Sequence, residues 1–280
     1  MSGWRRLLVE GGKRHLVNKE VGGLAEMVRG RVVKRHEPAP GHVELWIHSP
    51  VLAKAIPGQF VHVATGGMLR RPISFSRLDH SAGTAAILFQ IVGDGTRWLA
   101  SVQEGVELDL MGPLGRGFAM PDPRHPWCLV GGGVGIPPLL AAATAWTPFL
   151  NEPPTVVLGA RESALLLLEE EFRALGAAVE VTTDDGSQGQ RGTVVGPLAH
   201  WLAKHPTGQV YACGPTPMLG AVARASQGQS NVWLALEQRM GCGVGACLAC
   251  VVLANGQNGP VYRRVCTDGP VFAAEELIFE

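Results

Sequence analysis

The sequence has little charge and no long apolar segment. Charged residues make up 17% of the 280 residues, and 24 Lys and Arg balance 24 Asp and Glu, so no net field attracts nucleic acid or an acidic membrane surface. No hydrophobic run reaches the length of a membrane span, and the N-terminus lacks a secretory apolar region followed by a small-residue cleavage site. We therefore predict a cytoplasmic protein that binds neither nucleic acid nor membrane.

Familiar catalytic constellations are also absent. The sequence contains no Ser/His/Asp set and no paired carboxylates near a glycine-rich loop, and its nine histidines lack the spacing of metal ligands. Chemistry on an organic substrate would therefore belong to a partner protein. Six cysteines crowd toward the C-terminus of a chain without an export signal, which favours metal ligation or redox work over disulfides.

The apolar content is high enough for more than one core. Hydrophobic residues make up 46% of a chain that, at 280 residues, is long for one ordinary domain. Changes in the pattern of apolar residues, glycine and proline divide it into four segments. These are an N-terminal extension (1–27), a small antiparallel β-barrel (28–123), a doubly wound α/β nucleotide-binding domain (124–236) and a small C-terminal cysteine-rich unit (237–280).

The predicted barrel and α/β domain follow different patterns. Short alternating apolar runs separated by Gly and Pro indicate the barrel, with one helix at 96–102. Strands alternating with longer helices indicate parallel pairing and right-handed crossovers in the second domain. The predicted barrel strands are 32–33, 43–47, 60–63, 86–92 and 106–110. The second domain is predicted to contain strands at 127–130, 155–158, 179–182, 209–212 and 232–236, and helices at 136–145, 164–175, 194–203 and 217–225.

Four cysteines form the most specific motif. Cys242, Cys247, Cys250 and Cys266 are spaced C-x4-C-x2-C, followed by fifteen residues and the fourth cysteine, which fits the plant-type [2Fe-2S] spacing. Small residues between them let backbone N–H groups approach the sulfurs closely. The alternative is a structural zinc site, for which two C-x2-C pairs would be expected, and only Cys247 and Cys250 form such a pair.

A glycine-rich turn follows the first strand of the predicted α/β domain and opens a helix. Its N–H groups suit a dinucleotide pyrophosphate, and we expect Gly131, Gly133 and Gly135 to contact that cofactor. The turn departs from G-x-G-x-x-G because Pro138 stands where the third glycine would lie.

Two loops in the predicted barrel suit a second cofactor. Arg71-Pro72-Ile73-Ser74 follows a barrel strand, and Gly93-Asp94-Gly95-Thr96 precedes the helix, where N–H groups and glycines can surround a pyrophosphate. In this order, ahead of a nucleotide-binding domain, the loops resemble the ferredoxin-reductase superfamily, whose barrel binds FAD through R-x-Y-S.

This resemblance implies roles for individual residues. Arg71 would pair with the flavin phosphates and Ser74 would lie near the isoalloxazine ring, while Ile73 replaces the usual Tyr. The implied FAD contacts are Arg71, Pro72, Ile73, Ser74, Gln90, Val92, Gly95 and Thr96.

The same resemblance assigns NAD(P)H to the turn at 131–135 and to a later loop, Cys213-Gly214-Pro215, which also follows a strand and begins a helix. It implies that Cys213 sits close to the nicotinamide. Arg161 suits a 2′-phosphate and Glu162 suits a free ribose hydroxyl, so the sequence leaves NADH and NADPH open.

The cysteine region narrows the resemblance. Residues 236–250, closed by 264–272, look very much like the electron-transfer subunits of class 1B dihydroorotate dehydrogenases, and the likeness runs from about Met27 to the C-terminus. It implies a three-part chain with an antiparallel β-barrel FAD domain, an α/β doubly wound NAD domain and a small C-terminal [2Fe-2S] domain. A flavin between NADH and the cluster fits, because NADH gives up two electrons as hydride and a cluster takes one at a time.

The resemblance also implies a function and a partner. The chain would be an NAD-linked oxidoreductase subunit of pyrimidine biosynthesis, paired with an FMN-containing dihydroorotate dehydrogenase catalytic subunit in a heterotetramer. The alternative is an FAD/[2Fe-2S] subunit of an NADPH–ferredoxin or sulfide-linked oxidoreductase, which is built from the same modules.

Overall fold

The computed structural model describes residues 26–229 and 231–279, together with two short strands near the N-terminus. These strands, β1 (Val9–Glu10) and β2 (Lys13–Arg14), pair antiparallel. The extension was predicted for residues 1–27; of these, residues 26–27 are also described, with Met27 beginning β3, and the others lie outside the described residues. In the part of the chain that is described, no helix has the length and apolar character needed to cross a membrane.

Six antiparallel strands close into a barrel, in the order β3-β4-β7-β6-β5-β8. They are β3 (Met27–Ala39), β4 (His42–His48), β5 (Phe60–Val63), β6 (Arg71–Asp79), β7 (Thr84–Gln90) and β8 (Glu107–Leu114). Every second residue of β8 is buried, so the side chains alternate between the barrel interior and its surface. At Gly30 of β3 there is no room for a side chain, because a Cβ atom would stand 2.5 Å from Ile47 Cγ2.

The barrel differs from the sequence prediction at β6 and at its helix. The prediction placed a loop at Arg71 to Ser74, whereas these residues begin β6. Pro72 pairs with β5 on one side, and β7 pairs with β6 only from Phe75 onward, so the proline occupies an edge-like position where its missing N–H is tolerated. The helix α1 (Asp94–Ala100) begins earlier than predicted because the Thr96 hydroxyl accepts a hydrogen bond from the Gly93 N–H and so fixes the first turn.

The second domain is a seven-stranded sheet in the order β12-β11-β10-β9-β13-β14-β17, parallel except for its last strand. Its strands are β9 (Trp127–Gly132), β10 (Thr155–Ala160), β11 (Ala178–Thr183), β12 (Gln190–Arg191), β13 (Gln209–Cys213), β14 (Val232–Ala235) and β17 (Val271–Ala273). Its helices are α2 (Ile136–Trp146), α3 (Glu169–Ala174), α4 (Val195–Lys204) and α5 (Thr216–Ala225). The order reverses at β9, which lies between β10 and β13, and such a switch point opens a crevice at the carboxyl ends of the strands.

The predicted helix at 164–175 is shorter in the structure. A single 3-10 turn at Ser163–Leu165 is followed by irregular chain, and α3 begins only at Glu169. Leu167 and Leu168 are buried in the domain core, and Leu168 adopts a left-handed backbone (φ 61°) that cannot continue a helix. Packing of these leucines therefore overrides their helix propensity.

The cysteine-rich C-terminal region contains one hairpin, β15 (Val251–Gly256) with β16 (Gly259–Arg264), before the chain enters β17. Because β17 pairs with β14, the region ends inside the nucleotide-binding sheet. Cys250, Val265 and Cys266 share one hydrophobic core with Phe60 of the barrel and with the face of the sheet that carries α4 and α5. The three parts of the chain are therefore packed on one another.

Candidate functional site

The predicted pyrophosphate loop of the barrel meets Arg71. A Cβ atom at Gly95 would stand 2.7 Å from Arg71 Nε and 2.9 Å from Thr65 Oγ1, so only glycine allows both side chains to lie against the first turn of α1. Arg71 Nη1 donates to the Leu69 carbonyl at 2.8 Å. Thr65 Oγ1 is buried without a hydrogen-bond partner among the described residues. A guanidinium and an unsatisfied hydroxyl beside helix N–H groups fit a phosphate group.

Thr96 organises the same loop. Its Oγ1 accepts hydrogen bonds from the N–H groups of Val92 (2.9 Å) and Gly93 (3.0 Å), and it lies 3.0 Å from the Gly93 carbonyl, to which it donates. The hydroxyl is therefore engaged within the loop, and Val92 is held there by its backbone while its side chain is exposed. Gln90, also exposed, ends β7 just before the loop.

The other residues of the predicted flavin motif divide between two faces of β6. Ile73 is almost wholly buried and belongs to the barrel core, whereas Pro72 and Ser74 lie on the opposite face and are half-buried. Helix α2 packs along β6, which brings this strand beside the nucleotide turn of the second domain. The structure thus places Ser74, and not Ile73, on the strand face away from the barrel core.

The nucleotide turn, which joins β9 to α2, lies in close backbone contact with the loop that joins β13 to α5. Gly131 and Gly132 complete β9, and Gly133 to Gly135 form a 3-10 turn leading into α2. A Cβ atom at Gly135 would overlap the carbonyl group of Cys213, so glycine allows the β9–α2 and β13–α5 loops to touch. Gly133 takes a left-handed backbone (φ 53°). Both loops lie at the carboxyl edge of the sheet, where doubly wound folds bind dinucleotides.

Cys213, Gly214 and Pro215 connect the end of β13 to α5. Burial, and then the negative charge of Glu237, raise the pKa of Cys213 to about 12, so this cysteine is a neutral thiol. Gly214 packs against Met218, with a Cβ position 2.9 Å from Met218 Sδ. The sequence prediction did not include Glu237, although its position just beyond the next parallel strand, β14, was a usable signal.

The four predicted cluster cysteines come together as two pairs. The Cys247 N–H donates to Cys242 Sγ, and the Cys266 N–H donates to Cys250 Sγ, both at 3.4 Å. Among the described residues, no three Cys, His, Asp or Glu side chains gather as they would around a single metal ion. Two thiolate pairs fit a binuclear iron cluster, in which four cysteines serve two irons, better than one tetrahedral zinc.

Backbone N–H groups surround the first cysteine pair. Burial alone would raise the pKa of Cys242, but hydrogen bonds from the backbone of Val244, Cys247 and Ala246 lower it to about 6. The Ala246 N–H lies 3.3 Å from Cys242 Sγ. A thiol that is deprotonated near neutral pH is the form that binds iron. By contrast, burial raises the pKa of the core residue Cys128, which lies outside this loop.

The cysteine loop also touches the barrel and the following segment. A Cβ atom at Gly243 would stand 2.8 Å from Nδ1 of His62 in β5, and one at Gly245 would stand 3.2 Å from Thr267 Oγ1. The side-chain nitrogens of His62 and the hydroxyl of Thr267 are buried without partners in the described chain. Unsatisfied buried polar atoms on two sides of the loop fit a group of electronegative sulfurs between them.

The sequence prediction missed Thr65, His62 and Thr267. His62 gave a weak signal, as a single histidine in the apolar strand 60–63, and Thr65 stands just before two glycines. Thr267 gave none beyond its position next to Cys266. Their proximity to the loops depends on contacts between distant parts of the chain, which the sequence pattern does not report.

Two family models match the chain. The model described as the iron-sulfur cluster binding domain of dihydroorotate dehydrogenase B matches residues 237–278. The model described as the oxidoreductase NAD-binding domain matches residues 129–224. These ranges coincide with the cysteine-rich region and with most of the seven-stranded sheet.

Relatives of known name span nearly the whole chain. It is 44% identical over 230 residues to the dihydroorotate dehydrogenase B (NAD(+)), electron transfer subunit, of Geobacillus kaustophilus (strain HTA426), covering 79% of this chain and 86% of the relative. The protein of the same name from Desulforamulus reducens is 35% identical over 263 residues, covering 92% of this chain and all of the relative.

Solved structures share the architecture. The structure of an NADH-dependent reduced ferredoxin-NADP oxidoreductase superposes with a TM-score of 0.77 at 33% identity, covering 92% of this chain and 91% of that one. A ferredoxin reductase in carbazole 1,9a-dioxygenase superposes with a TM-score of 0.67 at 19% identity, covering 75% of this chain and 69% of that one. The second likeness shows the fold alone, a ferredoxin-reductase-like barrel and nucleotide-binding sheet.

Proposed function

The chain belongs to the family of electron transfer subunits of NAD-dependent dihydroorotate dehydrogenase B, and from that premise we propose which of its residues bind the cofactors that carry the electrons. It is an NAD-linked oxidoreductase subunit of pyrimidine biosynthesis whose cofactors are FAD, a [2Fe-2S] cluster and NAD(H). The relatives' names do not favour the alternative, an NADPH–ferredoxin or sulfide-linked oxidoreductase.

The arrangement of the four cysteines is the observation on which the site assignment depends. We assign the cluster to Cys242, Cys247, Cys250 and Cys266, with the pairs 242/247 and 250/266 each serving one iron. The assignment is supported by the backbone N–H groups that lower the pKa of Cys242 and by the packing of the loop against the barrel. When bound, the cluster would transfer one electron at a time. FAD would accept hydride from NADH and pass single electrons to the cluster.

The nucleotide cofactors are assigned to the loops at the domain edges. We propose that Arg71, Gly95 and Thr65 bind the FAD pyrophosphate, with Thr96 shaping the loop. Pro72, Ser74, Gln90 and Val92 would flank the flavin, while Ile73 supports β6 from the barrel core. We assign NADH to the turn at Gly131, Gly133 and Gly135 and to Cys213, Gly214 and Pro215; the relatives' names, which specify NAD(+), support NADH over NADPH.

An electron transfer subunit implies a catalytic partner, and we propose an FMN-containing dihydroorotate dehydrogenase subunit, in a heterotetramer of two copies of each chain. Apolar side chains in the cysteine loop and in the hairpin that follows it are exposed: Val244 is 47% exposed and Leu248 60% in the loop, and Tyr262 is 74% exposed in β16. Electrons must leave across this surface, since Cys247 is the exposed member of the cysteine set. Apolar residues at a surface that must meet another protein support docking there.

The experiment that tests this function is reconstitution. The purified chain alone should reduce artificial dyes with NADH but should not oxidise dihydroorotate. Adding the FMN-containing catalytic subunit from the same source should create NAD-linked dihydroorotate oxidation, and the complex mass should fit two copies of each chain. Failure of the mixture, together with efficient NADPH-dependent ferredoxin reduction by the chain alone, would favour the alternative.

A pair of surface variants tests the docking face. Tyr262→Lys, in the β15–β16 hairpin that follows the cysteine loop, should weaken complex formation by about tenfold or more, the scale expected for an aromatic interface residue. The matched control is Phe149→Lys, a 72% exposed aromatic just after the C-terminal end of α2, which should assemble normally. Equal affinity of both variants for the catalytic subunit would place the interface elsewhere.

Two further assignments complete the proposal. We propose domain boundaries at 28–123, 124–236 and 237–280, with residues 1–27 as an extension. We also propose a cytoplasmic location, because cluster assembly needs reduced cysteines and none of the six cysteines, all of which the structure describes, forms a disulfide. Cell fractionation followed by immunodetection would test the location, and limited proteolysis would test the boundaries.

A further inference from the structure

One buried side chain next to the cysteine loop has not yet been given a function. His62, in β5, exposes no surface, and neither ring nitrogen has a hydrogen-bond partner among the described residues. Burial, and then the charges of Arg70 and Arg71, lower the pKa of this histidine to about 4, so the ring is neutral at physiological pH. A neutral imidazole still carries one N–H donor and one acceptor, and leaving both unsatisfied in the interior costs free energy.

The position of His62 identifies what its ring faces. His62 pairs with Pro72 of β6, next to Arg71 in the flavin motif, so its strand is part of the proposed FAD site. Its Nδ1 and Cε1 atoms lie 2.8 Å and 3.1 Å from the position of a Cβ atom at Gly243, the residue after Cys242. A cofactor on the barrel surface does not reach a ring that exposes no surface, so the cysteine loop is the neighbour that matters.

The loop backbone is adapted to this contact. Gly243 has a φ of 73° and carries no side chain where the ring lies, and Met111 Cε approaches the same position at 3.2 Å. Gly245, two residues on, has a similar backbone (φ 80°) but faces Thr267 and Arg264 instead. Two glycines in one loop therefore meet different neighbours, and only Gly243 touches the barrel histidine.

We propose that His62 is a positioning residue for electron transfer: its imidazole holds the cysteine loop against the FAD barrel through Gly243, and the polar Nδ1 edge tunes the environment of the cluster. The inference rests on the proposed assignment of the cluster to the four cysteines. Polar groups around iron–sulfur centres set their reduction potentials, and side chains behind metal ligands fix the ligands' orientation. His62 combines both effects in a single side chain shared by two modules.

Substitutions of His62 separate polarity from packing. His62→Phe keeps a ring and removes both nitrogens, whereas His62→Asn places an amide nitrogen near the position of Nδ1, and His62→Gln places one near Nε2. We expect His62→Phe to shift the cluster's midpoint potential and its EPR g-values, and to slow flavin-to-cluster electron transfer by about tenfold or more, the scale typical for groups behind metal ligands. His62→Asn should restore the wild-type spectrum more fully than His62→Gln.

A second set of variants tests the contact itself. Gly243→Ala should displace the loop and broaden the cluster's EPR signal, and adding His62→Ala should relieve much of that change because it removes the clashing ring. Gly245→Ala is the matched control: it carries the same backbone strain, so adding His62→Ala should not relieve it. Equal relief in both pairs, or no relief in either, would overturn the contact as the determinant.

The readouts keep this inference distinct from the proposed function. Iron content and visible absorbance of the wild-type chain test whether the cluster is present, and flavin reduction by NADH in the same samples reports the other half of the path. If the wild type holds iron and transfers electrons while His62→Phe keeps the wild-type potential, g-values and transfer rate, the role of His62 is wrong and the proposed function stands. A wild-type chain without iron would overturn both.

Discussion

The two nucleotide sites and the cysteine loop obtain their geometry in different ways. Arg71 begins β6 of the barrel and Gly135 lies in the 3-10 turn that follows β9, so the barrel and the sheet place them. Residues 236–250, all of which the structure describes, contain no helix or strand, and Cys242 and Cys247 reach the surface. The sheets therefore organise the nucleotide sites, whereas we expect the cysteine loop, which lacks regular secondary structure, to gain much of its stability from the bound cluster.

The sharpest test of this comparison is Cys247→Ser. The variant should lose nearly all iron and cluster absorbance, and amide hydrogen exchange across 241–250 should accelerate because the cluster no longer bridges the loop. FAD should stay bound, since Arg71 and Gly95 belong to the barrel. The control is Cys128→Ala, a buried core cysteine, which should retain the cluster. Loss of flavin together with iron in Cys247→Ser would mean that the nucleotide site is not formed independently.

The next largest effect is expected from Arg71→Ala. Removing a charge-assisted hydrogen bond costs about 1.5–3 kcal/mol, which corresponds to about 10- to 150-fold weaker FAD binding. Arg31→Ala, which removes an exposed barrel arginine 3.5 Å from Glu107, should bind FAD as tightly as the wild type. Flavin occupancy after extended dialysis measures both variants, and full occupancy in Arg71→Ala would refute the pyrophosphate assignment.

The contact between the two nucleotide loops predicts an intermediate effect. Gly135→Ala should raise the KM for NADH and destabilise the protein by about 1–3 kcal/mol, because its Cβ meets the Cys213 backbone, which cannot move aside as a flexible side chain can. Gly196→Ala, in α4 with no atom within 4 Å of its Cβ position, should be neutral or should stabilise by up to about 1 kcal/mol. Urea unfolding and NADH-dependent dye reduction measure the two quantities. Equal stability of both variants would mean that the loops adapt to each other.

The smallest effect concerns an ion pair that joins barrel and sheet. Arg77 of β6 contacts Glu44 of β4 at 3.2 Å and Glu171 of α3 at 3.0 Å. Glu171 is partly exposed, so Glu171→Gln should lower the free energy of unfolding by less than about 1 kcal/mol, and less still at high salt. Glu44 is buried and also accepts from Ser76, so Glu44→Gln should cost about 1–3 kcal/mol. A larger loss for Glu171→Gln than for Glu44→Gln would show that the domain contact, rather than the barrel interior, carries the network.

The architecture could be predicted from the sequence because it depends on local patterns of apolar residues, glycine, proline and cysteine. Alternation of apolar residues indicated the barrel, and the C-x4-C-x2-C spacing indicated the cluster region, whose family-model match agrees. The strand β6 escaped prediction because Pro72 argues against a strand unless one knows that β7 pairs only from Phe75 onward. The start of α3 was misjudged because the burial of Leu168, and so its left-handed backbone, depends on distant packing.

The sequence predicted only those residues of the candidate site that belong to local motifs. Arg71, Gly135 and the cysteines belong to motifs, and the structure places Arg71 against the loop at Gly95, Gly135 in the β9–α2 turn and the cysteines in two pairs. Thr65 and His62 lie outside every motif, and they matter only because Gly95 and Gly243 approach them from elsewhere in the chain. No pattern in a single sequence reports such an approach, since the paired residues are far apart along it.

The pairing of β17 with β14 has a consequence for engineering. Ala235 and Val271 are direct partners in neighbouring antiparallel strands, so the chain leaves the sheet and returns to it at nearly the same point. Residues 236–270 therefore form an insertion whose two ends lie side by side. A two-residue turn can join antiparallel strands at such a point. Replacing 236–270 with such a turn should keep the pairing of β14 with β17, provided that the core surface covered by Cys250, Val265 and Cys266 is made polar. Other redox domains could then be inserted between Ala235 and Val271, so this junction is an insertion site for building reductases with chosen electron acceptors.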